Sequence, residues 1–136
     1  MSNPASTYPK CGEIRIANVK SPVSPHRYIG TRPYLIISNN KYNRYSGLCE
    51  AVPFTTKRLN KSARFPTHVD FKAGEVQGIN KNCTMIVEGV DTIQNDSFDE
   101  PIGIFSPQNW SKALPAFFAF NPCFVPANTE QTNHEV

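Results

Sequence analysis

The sequence predicts a mainly β domain, a small barrel-like sheet followed by one late α-helix. Three observations support this: five or six short apolar or alternating segments, polar loops rich in proline and glycine between them, and a helix signal near the carboxyl end. The chain has 136 residues, of which 39% are apolar, enough for one domain with a modest core. Its longest apolar runs fall far short of the roughly 18 residues that cross a membrane.

The predicted strands differ in their hydrophobic pattern. Residues 13–19 alternate apolar and polar side chains, which is typical of a half-buried strand. Residues 34–38 (YLIIS) form a short β-branched apolar run, which predicts a buried strand. Further strands are predicted at 48–54 and 68–71, and the last ones at 85–90 and around Thr92 and Ile93.

Polar segments separate these strands. Residues 20–31 contain Pro22, Pro25 and Gly30 and are predicted to form a long loop. We also expect a tyrosine-rich connection at 41–47, a basic loop at 56–65 and a turn at 74–82.

A helix is predicted to begin at Ser106 and Pro107, an N-cap followed by proline at the first helical position. Trp110, Ala113 and Leu114 recur at helical spacing, so this helix should face the sheet. Pro115 is expected to break or kink it, because proline lacks the backbone donor. The apolar end formed by Phe117, Phe118 and Phe120 must then be buried or lie in an interface. We expect residues 1–11 to form an N-terminal arm, 12–120 the domain and 121–136 a disordered tail.

Charge is unevenly distributed along the chain. Residues 1–68 hold eleven Lys and Arg against two carboxylates, a formal +9, whereas residues 69–136 hold three against nine, a formal −6. All five tyrosines lie in the basic part. Clustered cations and aromatic rings suit a polyanion with unpaired bases. A solvated basic surface with structural tyrosines would show the same pattern.

The cysteines at positions 11, 49, 83 and 123 form no C-x-x-C pair and no zinc-finger spacing. We expect free thiols in a reducing compartment. The first ten residues lack the apolar core of a signal peptide. The sequence therefore predicts a cytoplasmic protein without a membrane partner, a metal or a cofactor.

Residues 30–39 read GTRPYLIISN and resemble the G-x-R-P-x-L-I-I-S-N block of the MazF/PemK (Kid) toxins, the ribonuclease halves of bacterial toxin–antitoxin pairs. The resemblance covers about residues 12–114. Its other pieces follow in order: GEI at 12–14, NR at 43–44, VPFTT at 52–56, PTHV at 66–69, KNC at 81–83, Glu88 with Thr92-Ile93, and the start of the closing helix at 102–114.

The resemblance implies a small SH3-like β-barrel of the MazF/PemK/CcdB type with a C-terminal α-helix. It also implies a metal-independent endoribonuclease that cleaves single-stranded RNA selectively and leaves 2′,3′-cyclic phosphate and 5′-hydroxyl ends. The implied partners are the RNA substrate, a second copy in a homodimer, and a cognate antitoxin with an acidic C-terminal segment. The +9 region would attract that segment.

The implied catalytic residues are Arg32, Thr55 and His26. A guanidinium forks onto two phosphoryl oxygens, and the proline after Arg32 holds its backbone extended. The Thr55 hydroxyl would hydrogen-bond the developing oxyanion. The neighbouring Thr56 fits this role equally well. His26, in the long loop, can act as an acid or base near neutral pH; a solvated loop histidine would look the same.

RNA contacts are expected from the two basic loops and from the strands beside them. His68 alternates with Val69 in a short predicted strand, and this position fits a sheet residue with a hydrogen-bonded imidazole better than an RNA contact. The expected contact residues are Arg27, Tyr28, Thr31, Thr56, Lys57, Arg58, Lys61, Arg64, His68 and Glu88.

Several positions depart from the family pattern. Arg27-Tyr28 replaces Glu-Gln, and Cys83 stands where many members have serine. Gly89 and Asp91 replace a glutamine and an arginine, and the arginine and aspartate that the PemK branch uses on this strand read Ile86 and Glu88. These changes bear on substrate preference and acid–base assignment. Two alternatives stay open. One is a non-enzymatic gyrase poison of the CcdB type, which would not need Arg32 and the basic loops; the other is a catalytically inactive nucleic-acid-binding barrel, which the changes at Gly89 and Asp91 would fit.

Overall fold

The computed structural model describes residues 8–20, 29–56 and 65–124, which contain seven β-strands and two α-helices. None of the helices in these ranges is long and apolar enough to span a membrane. The elements are β1 (Glu13–Val19), β2 (Gly30–Ile36), α1 (Asn40–Ser46), β3 (Leu48–Thr55), β4 (His68–Phe71), β5 (Cys83–Ile86), β6 (Asp91–Gln94), β7 (Phe98–Ile104) and α2 (Pro107–Phe120).

The seven strands form one antiparallel sheet in the order β4-β5-β3-β2-β1-β7, with β6 paired to the first half of β3. The predicted mainly β class with a C-terminal helix is confirmed. Strand pairing does not close the sheet, because β4 and β7 do not pair with each other.

The turn between β4 and β5 connects the two ends of the sheet. The backbones of this turn and of β7 approach so closely that a Cβ atom on Gly103 would lie 2.1 Å from the carbonyl oxygen of Gln77. A Cβ on Gly78 would lie 2.6 Å from the carbonyl oxygen of Ile102. The Gln77 side chain also accepts a hydrogen bond from the amide of Ile104 at 3.0 Å. The barrel is thus completed by a turn that packs on β7.

Both faces of the sheet bury apolar side chains. Helix α2 covers one face with Ala113 and Ala116, beside tilted and edge-on contacts among the rings of Phe54, Phe71 and Phe105. The α2-covered face includes Ile14, Leu35, Val52, Phe54 and Met85, and the opposite face includes Ala17, Tyr34, Ile36, Cys49, Ala51 and Ile93.

Helix α1 corrects the connection predicted at 41–47. The Asn39 side chain accepts hydrogen bonds from the amides of Lys41 and Tyr42, at 2.7 and 3.2 Å. The helix ends at Gly47, whose φ of 76° is left-handed. Asn39 was therefore an N-cap and Gly47 a helix stop, both legible in the sequence.

Strand boundaries also differ from those predicted. Strand β2 begins at Gly30, inside the expected loop, because it pairs with β1 as far as Val19. Strand β5 ends at Ile86, and residues 87–89 form a 3₁₀ turn where strand was expected. Strand β7 was not predicted, since its alternation is interrupted by Pro101 and Gly103.

Helix α2 begins as predicted, with a reciprocal capping box between Ser106 and Asn109 and Pro107 in its first turn. It does not break at Pro115 but continues to Phe120. Leu114 does not face the sheet; it is 44% exposed. Phe117 packs on the core, whereas Phe118 and Phe120 are 44% and 41% exposed.

Candidate functional site

Arg32 and Thr55 lie at the same end of two neighbouring strands. In the β2–β3 pair, Tyr34 lies opposite Pro53, and Arg32 precedes Tyr34 by two residues as Thr55 follows Pro53 by two. Tyr34 and Pro53 share a face, because opposed residues of an antiparallel pair do so. Side chains two residues apart on one strand also share a face, so Arg32 and Thr55 lie on that face too. Arg32 is half-buried and donates from Nη2 to the carbonyl of Ile29 at 2.7 Å; Thr55 is 5% exposed.

Two residues that the sequence did not single out extend this row across the sheet. Thr84 on β5 lies opposite Thr55, and Asp70 on β4 lies opposite Thr84. The Thr84 hydroxyl donates to Oδ1 of Asp70 at 2.7 Å. Strands β2, β3, β5 and β4 thus each contribute one polar residue to the same row. The sequence did not show that Thr84 lies beside Thr55, because β3 and β5 are far apart in sequence and only the strand order brings them together.

A second polar group stands beside this row. Glu88 accepts a hydrogen bond from the Thr67 hydroxyl at 2.6 Å, and its other oxygen lies 2.7 Å from Nε2 of His68. The His68 ring packs on Phe65, with centroids 4.9 Å apart. Its buried Nδ1 has no hydrogen-bond partner among the described residues. Burial acts to raise the pKa of Glu88, but the hydrogen bonds from Thr67 and His68 outweigh it and lower that pKa.

The lowered pKa of Glu88 predicts a pH-dependent contribution to stability. A carboxyl group that binds protons less tightly in the folded state stabilises the fold above its unfolded pKa of about 4.3 and loses this effect as pH falls. Glu88→Gln should therefore be less stable than wild type near neutral pH, and the difference should shrink as pH falls below the unfolded pKa. Urea unfolding at several pH values measures it. Glu100→Gln, which changes an exposed carboxylate on β7, is the control; a pH-independent difference at Glu88 would contradict the prediction.

A groove of about 740 Å³ runs along β4 and reaches α2. Its lining includes Thr56, His68, Asp70, Thr84 and Lys112. Lys112 lies over the Phe71 ring, 4.7 Å from its centroid, and pairs with Glu75 at 3.0 Å. The backbone amide of Lys72 and the Lys112 ammonium both donate to Glu75 and lower its pKa. The groove therefore joins the polar row to a cation on the helix.

The structure places some predicted site residues and not others. Thr31 is exposed on β2, opposite Asn18, and Thr56 is exposed at the groove. Residues 21–28 and 57–64, the larger part of the two predicted loops, fall outside the described residues. They include His26, Arg27, Tyr28, Lys57, Arg58, Lys61 and Arg64. Their assignments stay predictions.

The four cysteines are free thiols, as predicted. Burial raises the pKa of Cys49 to about 12 and that of Cys83 to about 11, so neither forms a thiolate near neutral pH. Within the described ranges, no three His, Cys, Asp or Glu side chains are grouped as metal ligands would be.

Solved structures of toxins share this fold. One is an endoribonuclease in complex with its cognate antitoxin from a mycobacterial species, at 23% identity and a TM-score of 0.64, covering 87% of this chain and 97% of that one. Another is MazF from Deinococcus radiodurans, at 20% identity and a TM-score of 0.65, covering 82% and 94%. At these identities the likeness shows the fold.

Sequence comparison gives the family. The chain is 30% identical over 95 residues to the endoribonuclease MazF of Staphylococcus saprophyticus, covering 70% of this chain and 76% of the relative. A family model matches residues 10–117, which include Arg32, Thr55 and the whole sheet. The chain therefore belongs to the family of PemK-like, MazF-like toxins of type II toxin–antitoxin systems.

Proposed function

We propose that this toxin is an endoribonuclease that cleaves single-stranded RNA. The observation that carries the proposal is the placement of Arg32 and Thr55 at one end and on one face of paired strands. A guanidinium and a hydroxyl so placed can both bind one phosphodiester. The curated relative named as an endoribonuclease supports the same activity.

The reaction uses the RNA's own 2′-hydroxyl as nucleophile. Its oxygen gives up its proton and bonds to the adjacent phosphorus, the bond from phosphorus to the 5′-oxygen breaks, and the leaving oxygen takes up a proton, so that no proton is gained or lost overall. The products are a 2′,3′-cyclic phosphate and a 5′-hydroxyl. Arg32 stabilises the charge on the phosphorane, because its guanidinium can bind two phosphoryl oxygens at once. His26 is assigned the proton transfer.

Thr55 is the better candidate for the catalytic hydroxyl, because it shares a face with Arg32. Thr56, the next residue, is exposed and lines the groove, so we assign it to RNA binding. The RNA would follow the polar row from Arg32 towards Asp70 and enter the groove beside β4, where His68 and Glu88 meet it. The basic segment 57–64 would supply phosphate contacts.

The protein partners follow from charge and exposed apolar surface. An antitoxin with an acidic segment would compete with RNA for the basic half of the chain, and a relative solved with its cognate antitoxin supports such a partner. Leu114 and Phe118, one helical turn apart on α2, and Phe120 near its end are all more than 40% exposed. A second copy that covers them would form the homodimer.

End mapping tests the reaction. Incubating the purified chain with labelled single-stranded RNA and EDTA should give discrete fragments with 5′-hydroxyl and 2′,3′-cyclic phosphate ends, because a nucleophile within the RNA needs no metal. Fragments that carry a 5′-phosphate, or loss of cleavage on adding EDTA, would contradict the proposal.

The same preparation separates the alternatives. RNA binding without cleavage would favour an inactive nucleic-acid-binding barrel. Inhibition of gyrase supercoiling without RNA binding would favour a poison of the CcdB type.

A further inference from the structure

A second cleft lies at the opposite end of β3 from Thr55. It has a volume of about 340 Å³ and is lined by Tyr8, Arg44, Gln94, Asn95 and Asp96, among others. Strand β3 runs from Leu48, at this cleft, to Thr55, a length of roughly 23 Å at the rise of an antiparallel strand. The cleft is therefore separate from the Arg32–Thr55 site.

The walls of this cleft are held in place by side-chain amides. The Asn40 side chain accepts from the amide of Cys11 at 2.7 Å, and the Asn43 side chain donates to the carbonyl of Pro9 at 2.9 Å. These bonds fix the N-terminal segment that carries Tyr8 against α1. Asn95 donates from its side chain to the Asn43 carbonyl at 2.7 Å and from its backbone to the Gly47 carbonyl at 2.9 Å. Hydrogen bonds thus hold three separate segments together as the walls of one cleft.

Two lining residues of the cleft, Tyr8 and Arg44, each belong to a cation–aromatic pair. The Lys10 ammonium lies 4.4 Å from the ring centroid of Tyr8, and the Arg44 guanidinium lies 5.1 Å from that of Tyr45. Tyr45 is 71% exposed, an unusual degree for so large a ring. Rings beside cations are what proteins use to stack unpaired bases and contact their phosphates.

One residue of the lining, Asn95, also has an unsatisfied acceptor. Oδ1 of Asn95 is buried and has no hydrogen-bond partner among the described residues. Its orientation is fixed, since the amide nitrogen must donate to the Asn43 carbonyl. Buried polar atoms are normally paired. Because this oxygen is buried, Asn95 belongs to the wall of the cleft, and contacts with a ligand fall to Tyr8 and Arg44.

We propose that this cleft is a second RNA-binding site that holds one nucleotide of a single-stranded RNA outside the cleavage site. Tyr8 or Tyr45 stacks on the base, and Arg44 binds the phosphate. Asp96 is the one carboxylate in the lining and disfavours a purely acidic ligand there. The inference rests on the proposed function in taking the same class of ligand, and it extends RNA recognition to nucleotides remote from the scissile bond.

Binding and crosslinking test the site without requiring cleavage. In the full chain carrying Arg32→Ala, anisotropy with a labelled RNA of about 16 nucleotides should show roughly fivefold weaker binding on adding Arg44→Ala, with a salt slope smaller by about one. Tyr45→Ala, an exposed change that leaves the core intact, should weaken binding roughly tenfold. Lys41→Ala is the matched control, because it removes a charge from the same helix outside the cleft lining.

Crosslinking of RNA that contains 4-thiouridine locates the contact. Adducts on Tyr8 or Tyr45, mapped by mass spectrometry and reduced by Arg44→Ala, would support the proposal even if wild type proves not to cleave RNA. Absence of adducts at both tyrosines, or equal weakening by Lys41→Ala and Arg44→Ala, would overturn it. Displacement of the RNA from Tyr45 by an acidic peptide that itself crosslinks there would assign the cleft to a protein partner instead.

Discussion

Arg32→Ala should lower the rate of RNA cleavage by about 10³-fold, a typical effect of removing one preorganised donor to a developing charge. The guanidinium stands on the same face as Thr55 and is held by its bond to the Ile29 carbonyl, so little of its geometry has to change when RNA binds. Arg32→Lys should restore little, because an ammonium cannot fork onto two oxygens. Rates under single-turnover conditions measure the chemical step.

A double variant sharpens this result. If Arg32 and Thr55 act on one phosphate, Arg32→Ala combined with Thr55→Val should cost about as much as the worse single change, since residues that act as a unit are not additive. Lys41→Ala controls for lost positive charge, and the thermal midpoint of each variant controls for folding. Independent, multiplying losses, or cleavage unaffected by Arg32→Ala, would contradict a shared phosphate site.

Gly103→Ala should destabilise the fold by about 3 kcal/mol or more, at the upper end of overpacking effects. The new methyl group would lie 2.1 Å from a backbone oxygen of Gln77, and neither backbone is a flexible side-chain end that could move aside. The closing turn would have to leave β7. Urea denaturation gives the free energy of unfolding.

Gly74→Ala is the matched control in the same turn. Gly74 has a φ of 82°, but a methyl group there would meet no atom within 4 Å. Its cost should be about 1 kcal/mol, from backbone conformation alone. Equal destabilisation by the two variants would show that the close contact at Gly103 is not what requires glycine.

Local pattern in the sequence was enough to predict most strands, the start of α2 and the family. Residues 34–38 and 48–54 were predictable because burial leaves an apolar run, and Ser106-Pro107 because an N-cap has its own chemistry. Strand β7 was missed because proline and glycine interrupt its alternation, although pairing with β1 holds it extended. In α2, packing of Ala113 and Ala116 keeps the helix intact beyond Pro115.

The candidate site was predictable in part, for a different reason. Arg32 and Thr55 belong to motifs, but Asp70 and Thr84 join them through register, a property of strand pairs that no single segment encodes. The cleft beside Arg44 was predictable only in that all five tyrosines lie in the basic part of the chain. Its unpaired Asn95 oxygen depends on contacts among three segments and could not be read from any one of them.

The turn that completes the barrel also bears on aggregation. Strand β7 carries two exposed isoleucines, Ile102 and Ile104, and an uncovered edge strand of this kind is a template for pairing with other molecules. The Gln77 side chain occupies the amide of Ile104, and the turn backbone lies against Ile102 and Gly103. A chain in which this turn has detached would expose the unpaired edge of β7 to other molecules. Gly103→Ala should therefore form insoluble aggregates at concentrations where Gly74→Ala remains in solution.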